Sequence, residues 1–369
     1  MADDEVFNLP TDALVEILLR LPTSVRRRFR LVCKLWRDVI DERTPERQVR
    51  TKIFTFISHG RSSRATVFDD KDRHRRHEWT YNWSTYGGAV HMVGTCNGLI
   101  CLHNAGEGVR SPIRVANPVT GEAVALPRLS ATMWNPLGHL EIYGFGYHPV
   151  TGQYKVVHVP NRLARRRDMG HLLTLGESAS WREVVSPALA DGYNPFCGIV
   201  GVDGSVCWFT LRADRVVALD LEDEHVTSFL GPPGVRIVLT TGEASWKVTN
   251  VHARLGVAVP LYEATAMKVE VCVLNGGGRD PPRWSRWYCL CGSRIILTPN
   301  LTHGEYVVSR SWDWDRLYRC KVDGGGGDGR AAPLELSEGA EVIMRGETKR
   351  CLRTFAYVET REPVPRLGQ

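Results

Sequence analysis

The chain has 369 residues, of which 43% are hydrophobic and 24% charged, with ten cysteines and a formal charge of +6. That length suits two domains, or a small module beside one large domain, and the composition excludes a disordered or fibrous protein. The acidic start Met1-Ala2-Asp3-Asp4-Glu5-Val6 lacks a secretory pattern and no run approaches the roughly 18 to 20 apolar residues of a membrane helix, so a soluble cytoplasmic or nuclear protein with reduced thiols is expected.

The first element predicted is a helix. Leu14, Ile17, Leu18 and Leu21 recur at i, i+3, i+4 and i+7, which puts them on one helical face. Pro10 suits the first turn, Pro22 stops the helix, and Thr23 and Ser24 offer side-chain oxygens to cap the next one. A second stripe of the same period holds Phe29, Val32, Cys33, Trp36, Val39 and Ile40. Between them fall Arg26, Arg27, Arg28, Arg30, Lys34 and Arg37, and a later run is Arg165-Arg166-Arg167. With no helix-turn-helix pattern, zinc spacing or stacking motif beside them, both runs read as solvated surface, and no nucleic-acid partner is expected. Two or three helices within roughly 40 residues bury too little surface to stand alone, so a second protein chain should complete the core.

Beyond Arg50 the period changes to short apolar runs bounded by Gly, Pro, Asn and Asp, which predicts strands. They include Lys52 to Ile57, Leu99 to Leu102, Lys155 to Val159, Val206 to Thr210, Val216 to Leu221, Val269 to Leu274 and Tyr306 to Ser309. Asn117-Pro118-Val119-Thr120-Gly121 and His148-Pro149-Val150-Thr151-Gly152 are near copies and read as type I turns. Asn97-Gly98, Gly146, Asp203-Gly204, Gly256 and His303-Gly304 recur at about 50-residue spacing, a period that signals stacked sheets and hence a β-propeller. Trp181, Trp208, Trp246, Trp287 and Trp312 keep step with them and read as core. Pairing of Cys351 to Val358 with Lys52 to Ile57 would close the ring and protect both edges. The loops around Arg162 to Asp168 and Pro232 to Arg236 are candidate recognition loops.

Several patterns that could carry chemistry fall short of it. Cys289-Leu290-Cys291 has no second pair for a metal site. The run Gly324 to Gly327 with Asp328-Gly329 lacks the Lys-Ser/Thr ending and helix of a phosphate loop, and Gly144-x-Gly146 runs into Pro149. Asp220, Glu222, Asp223 and Glu224 read as a solvated turn. No catalytic residue, metal or cofactor is predicted.

The segment Leu9-Pro10-Thr11-Asp12-Ala13-Leu14-Val15-Glu16-Ile17-Leu18-Leu19-Arg20-Leu21-Pro22, followed by Arg28-Phe29-Arg30-Leu31-Val32-Cys33-Lys34-Leu35-Trp36-Arg37-Asp38-Val39-Ile40, resembles an F-box. It departs from the commonest form at Val25, Arg26 and Arg27, where many members have Ser-Leu-Leu. The resemblance implies a three-helix module that lays Leu9, Pro10, Leu14, Ile17, Leu18, Leu21, Pro22, Phe29, Val32 and Trp36 at or near a Skp-type adaptor. Thr95-Cys96-Asn97-Gly98-Leu99-Ile100-Cys101-Leu102, with Asn117-Pro118 through Leu126-Pro127 and Gly144-Phe145-Gly146-Tyr147-His148-Pro149, resembles the F-box-associated domain of large plant families. Together with the Arg26-Arg27-Arg28-Phe29-Arg30-Leu31-Val32-Cys33-Lys34 form of the F-box and the Asp41-Glu42-Arg43-Thr44-Pro45-Glu46 that follows, it is similar to the cereal-grass branch. The resemblance to that domain spans roughly residues 90 to 320. Together the two resemblances imply a mostly β protein with an F-box over residues 5–45 and a propeller-like domain over residues 46–369. They further imply a non-catalytic substrate-recognition subunit of a Skp-cullin-F-box ubiquitin ligase, reaching cullin and RING subunits through the adaptor and binding an unknown protein target. An F-box scaffold outside ubiquitination and a propeller enzyme are the alternative readings.

Overall fold

The computed structural model describes residues 10–21, 29, 32, 35–36, 39–40, 43, 52–59, 62–68, 76–81, 90–104, 113–129, 142–148, 151–159, 168–176, 178–194, 197–233, 247–251, 254–262, 267–275, 283–292, 298–303, 306–310, 316–321, 333–335, 340–345 and 351–367. Among these, the one α-helix is α1 (Thr11–Arg20). Pro10 precedes it, and the Pro10 carbonyl accepts the Leu14 N–H at 3.1 Å. Leu21 ends it in an extended conformation (φ −82°, ψ 147°), the geometry that a following proline imposes. Phe29, Leu35, Trp36, Val39 and Ile40 also have helical backbone, but most of the second half of the expected three-helix module lies outside the described residues.

Strands follow from residue 52. β1 (Lys52–His59), β2 (Ser62–Phe68) and β3 (Arg76–Tyr81) begin the first sheet. β4 (Val90–Cys96), β5 (Leu99–Asn104), β6 (Ile113–Ala116) and β7 (Ala123–Ala125) form the second. The third holds β8 (Ile142–His148), β9 (Gln153–Val159), β10 (Met169–Thr174) and β11 (Trp181–Val185). The fourth holds β12 (Ile199–Val202), β13 (Ser205–Phe209), β14 (Arg215–Asp220) and β15 (Val226–Leu230). β16 (Lys247–Val251), β17 (Arg254–Tyr262), β18 (Met267–Asn275) and β19 (Arg283–Gly292) make the fifth. β20 (Thr298–His303), β21 (Tyr306–Arg310) and β22 (Arg316–Lys321) start the sixth. The chain then crosses back, lays β23 (Pro333–Glu335) parallel to β19, and returns as β24 (Ala340–Arg345) beside β22. The last strand is β25 (Cys351–Tyr357).

These six sheets form a ring. β4 packs on β8, β8 on β12, β12 on β16, β16 on β20, β20 on β25 and β25 on β4. Antiparallel pairing of β25 with β1, from Lys52↔Tyr357 to Ser58↔Cys351, joins the two ends of the strand order within the first sheet. The expected closure is therefore present, and it gives both terminal strands a partner. Facing sheets bury the middle strands on both sides, which is why β5 is buried at all six positions and β9 at six of seven. Outer strands such as β11 carry exposed residues instead.

The turns carry the period. Asn97-Gly98 (φ 47° and 82°) and Asp203-Gly204 (φ 47° and 70°) join the first and second strands of their sheets as two-residue turns with both φ positive, the hairpin geometry that Asn-Gly and Asp-Gly favour. His148–Gly152 fills the same place in the third sheet, whereas its near copy Asn117–Gly121 joins β6 to β7. The two segments share turn chemistry and not a repeat position. Each is also one residue longer than a type I turn, closing from the glycine N–H to the carbonyl four residues back at 2.9 Å. Gly146 and Gly256 lie inside strands. A Cβ on Gly144 would stand 2.5 Å from Val206 Cγ1, so the glycine lets the fourth sheet close on the third.

The tryptophans divide. Trp208 is almost fully buried and Trp181 partly so, while Trp287 is 43% exposed at the irregularity between Val271 and Cys272 in the β18–β19 pairing. Core packing is thus wrong for Trp287. Trp246 and Trp312 lie outside the described residues.

Candidate protein-interaction surfaces

The small N-terminal module has a core of its own. Leu14 and Leu18 on α1 pack with Val39 and Ile40, with Val15, Leu21, Phe29 and Trp36 partly buried against them. The Phe29 and Trp36 rings meet edge to face with centroids 5.0 Å apart, and Arg43 pairs with Asp12 in the first turn of α1 at 2.7 Å. Outside this core stand three large apolar side chains: Ile17 is 43% exposed, Val32 59% and Leu35 56%. Pro10 is exposed as well. Isolated exposed apolar residues are ordinary, but a set on a module this small is the mark of a surface that a partner covers.

In the ring, the run at 220–224 is more than a solvated turn. Asp220 Oδ1 accepts the N–H groups of Glu222 and Asp223 at 2.7 and 3.3 Å, which shapes the turn between β14 and β15. Glu224, at φ 62°, reaches back to the third sheet. Its carboxylate accepts from Lys155 Nζ on β9 at 2.8 Å and from Arg182 Nη1 on β11 at 2.8 Å. Lys155 is buried. The expected solvation fails at Glu224 because it sits opposite two cations of the neighbouring sheet.

A column of rings lies in the same region. His103 and Tyr143 have centroids 4.9 Å apart, Tyr143 and His158 5.1 Å, and His158 Nδ1 lies 3.4 Å from His171 Nδ1. Burial first, then the neighbouring His171 and His103, push the His158 pKa down to about 3, and burial lowers His171 against the pull of Glu183. A histidine held neutral in the fold but free to protonate when unfolded contributes full stability above its unfolded pKa, about 6.5, and loses it as pH falls toward the folded value. At pH 5.5 the expected loss is about 1.4 kcal/mol for one such residue. Melting the protein from pH 7.5 to 5.5 should therefore show a falling midpoint, with a shallower fall in His158→Phe; equal slopes would assign the loss elsewhere. Burial also pushes the thiols of Cys96, Cys197 and Cys207 up to about 12 and Cys272 to about 11, leaving them protonated and unreactive at neutral pH.

Comparison with known proteins fits this architecture. The family described as "F-box associated beta propeller domain" matches residues 46–296, and "F-box domain" matches residues 6–47. The chain belongs to the F-box-associated propeller family. Its relatives include an F-box protein of Arabidopsis thaliana, 29% identical over 225 residues, which are 56% of this chain and 50% of that one. A second Arabidopsis thaliana F-box protein is 24% identical over 320 residues, or 84% of this chain and 72% of that one. The chain thus spans half the length of the first of these relatives. Among solved structures, a chain of a nidogen/laminin complex gives a TM-score of 0.40 at 8% identity, covering 73% of this chain and 89% of that chain.

In this F-box protein the residues expected at the adaptor fall into three groups. Leu14 and Leu18 are core, Leu21, Phe29 and Trp36 partly buried, and Pro10, Ile17 and Val32 exposed. Leu9 and Pro22 lie outside the described residues, as do Val25 to Arg28, Arg165 to Arg167, most of both candidate recognition loops, and Gly324 to Gly329. Leu35, 56% exposed, was missed by sequence reasoning because it falls between the apolar positions of the second stripe. No described helix is long and apolar enough to cross a membrane, and no described group of three metal-ligating side chains converges.

Proposed function

We propose that this F-box protein is the substrate-recognition subunit of a Skp-cullin-F-box ubiquitin ligase, with residues 5–45 as adaptor-binding module and residues 46–369 as target-binding domain. The observation that carries the reading is the exposed set Ile17, Val32 and Leu35 on a module whose own core is four aliphatic residues. Pro10, Ile17, Val32 and Leu35 touch the adaptor directly. Leu14 and Leu18 hold that face rigid from behind, the partly buried Leu21, Phe29 and Trp36 border it, and Leu9 and Pro22, outside the described residues, are assigned to the same adaptor-binding set. Cullin and RING subunits follow through the adaptor.

In this role the chain performs no bond chemistry. It raises the concentration of a protein target near a ubiquitin-loaded enzyme, and two binding modules on one chain are sufficient for that. Neither membrane nor nucleic acid is a partner, no cofactor takes part, and the protein works in the cytoplasm, the nucleus or both. Co-purification of a Skp-type adaptor by the full chain, and not by a chain lacking residues 1–45, is the expected result. Capture by both, or by neither, would overturn the assignment of the F-box as adaptor site.

A further inference from the structure

Residues 358–367 follow β25 and run over the second sheet without entering any strand. The Asn117 side-chain amide donates to the carbonyl oxygens of Thr360 at 3.1 Å and Glu362 at 2.8 Å, and Glu122 Oε2 accepts the Val364 N–H at 3.0 Å. Asn117 is itself fixed, because its Oδ1 accepts from Val119 and Thr120 N–H at 2.9 and 3.3 Å. Gly98 leaves room for the crossing: a Cβ there would meet Thr360 Cγ2 and the Val358 carbonyl. All three hydrogen bonds are to backbone groups of the segment, which Thr360 Oγ1 also shapes by accepting the Glu362 N–H at 3.1 Å, so they would hold a peptide of another sequence in the same conformation.

Side-chain selection comes from Val364 and Leu367, both packed in one cluster. Val364, flanked by Pro363 and Pro365, is buried in the apolar cluster where the second and third sheets meet. Tyr147 and Trp181 pack at the margin of the same cluster. Prolines on both sides keep the run extended, and a preformed extended segment entering an aromatic-edged apolar groove is a recurrent mode of peptide recognition. The segment can leave without breaking a strand pair, at the cost of the Val364 and Leu367 packing and of the ion pair between Glu359 and Lys52 at 2.9 Å.

We propose that this groove is a docking site for an extended Pro-hydrophobic-Pro peptide of a partner protein, and that residues 358–367 fill it in cis and compete with that partner. The inference goes beyond the ligase reading and is tested without the adaptor, so failure of one leaves the other standing. The probe is a fluorescently labelled peptide with the sequence of residues 359–367, titrated against the full chain. Wild type should bind it at least tenfold more weakly than Val364→Asp, whose own segment is displaced, and adding Asn117→Ala should cost the variant at least tenfold. If Val364→Asp fails to fold, a full chain with a protease site between Val358 and Glu359, cut after folding, replaces it and should bind the peptide. Equal binding by wild type and the opened chain, no binding by a folded opened chain, or binding that survives Asn117→Ala would each overturn the proposal.

Discussion

Ile17→Asp is expected to abolish capture of a Skp-type adaptor while leaving the chain folded. Ile17 stands 43% exposed on α1, so the carboxylate meets water in the free protein and costs the module little. In a complex it would be covered. Burying a whole isoleucine side chain is worth about 1.5 to 3 kcal/mol, so covering the 43% that Ile17 exposes is worth roughly 0.6 to 1.3 kcal/mol, about 3- to 9-fold in Kd, and desolvating the carboxylate adds the larger part of the loss. Leu18→Asp makes the contrast, since Leu18 is fully buried against Val39 and Ile40 and its replacement should melt the module itself. Calorimetric titration of adaptor into each variant, beside far-ultraviolet circular dichroism, separates the two effects. Wild-type affinity in Ile17→Asp would move the adaptor face off this side of α1.

Glu224→Gln is expected to destabilise the ring by roughly 3 kcal/mol, the low end for breaking a buried pair, because Glu224 keeps 21% of its side chain exposed while Lys155 keeps 4%. The loss comes mainly from Lys155, left charged and buried without its partner. Lys155→Met in the same chain should recover much of it, since an apolar side chain needs no counter-charge there. Denaturant melts of the two single variants and the double variant give the coupling directly. Additive losses would show that the clasp is not a unit. Burial raises the Glu224 pKa, but hydrogen bonds from Arg182 and Lys155 outweigh it and hold the carboxyl below its usual 4.5. The clasp is thus intact above that pH and is lost as pH falls through the folded value, a lower window than that of His158.

Much of the ring was legible in the sequence because middle strands buried on both faces need continuous apolar runs, and each run read as a strand falls on one: Leu99 to Leu102 within β5 and Lys155 to Val159 within β9, while the runs ending at Thr210 and Leu221 pass the ends of β13 and β14 by one residue. Asn97-Gly98 and Asp203-Gly204 were readable because their positive φ leaves few residue choices. The closing pair β25–β1 followed from the need to protect two edges. Other features depended on packing. Periodicity puts Leu14, Ile17 and Leu18 on one stripe, and only the docking of Val39 and Ile40 decides that Ile17 stays outside. Glu224 looks like its acidic neighbours until Lys155 of another sheet stands 2.8 Å away. β23, three residues beyond a glycine-rich run, carries no apolar pattern long enough to announce a strand. Residues 359–367 carry no pattern that marks them as packed, and the Asn117 that holds them is more than two hundred residues away.

The receptor role is tested most directly by whether cullin enters the complex. Full-length chain, Skp-type adaptor and cullin, mixed and separated by size-exclusion chromatography with light scattering, should elute as one species of 1:1:1 stoichiometry, with Ile17→Asp leaving the chain in a separate peak. A chain–adaptor complex that excludes cullin would contradict the ligase assignment and favour a scaffold that uses the F-box outside ubiquitination.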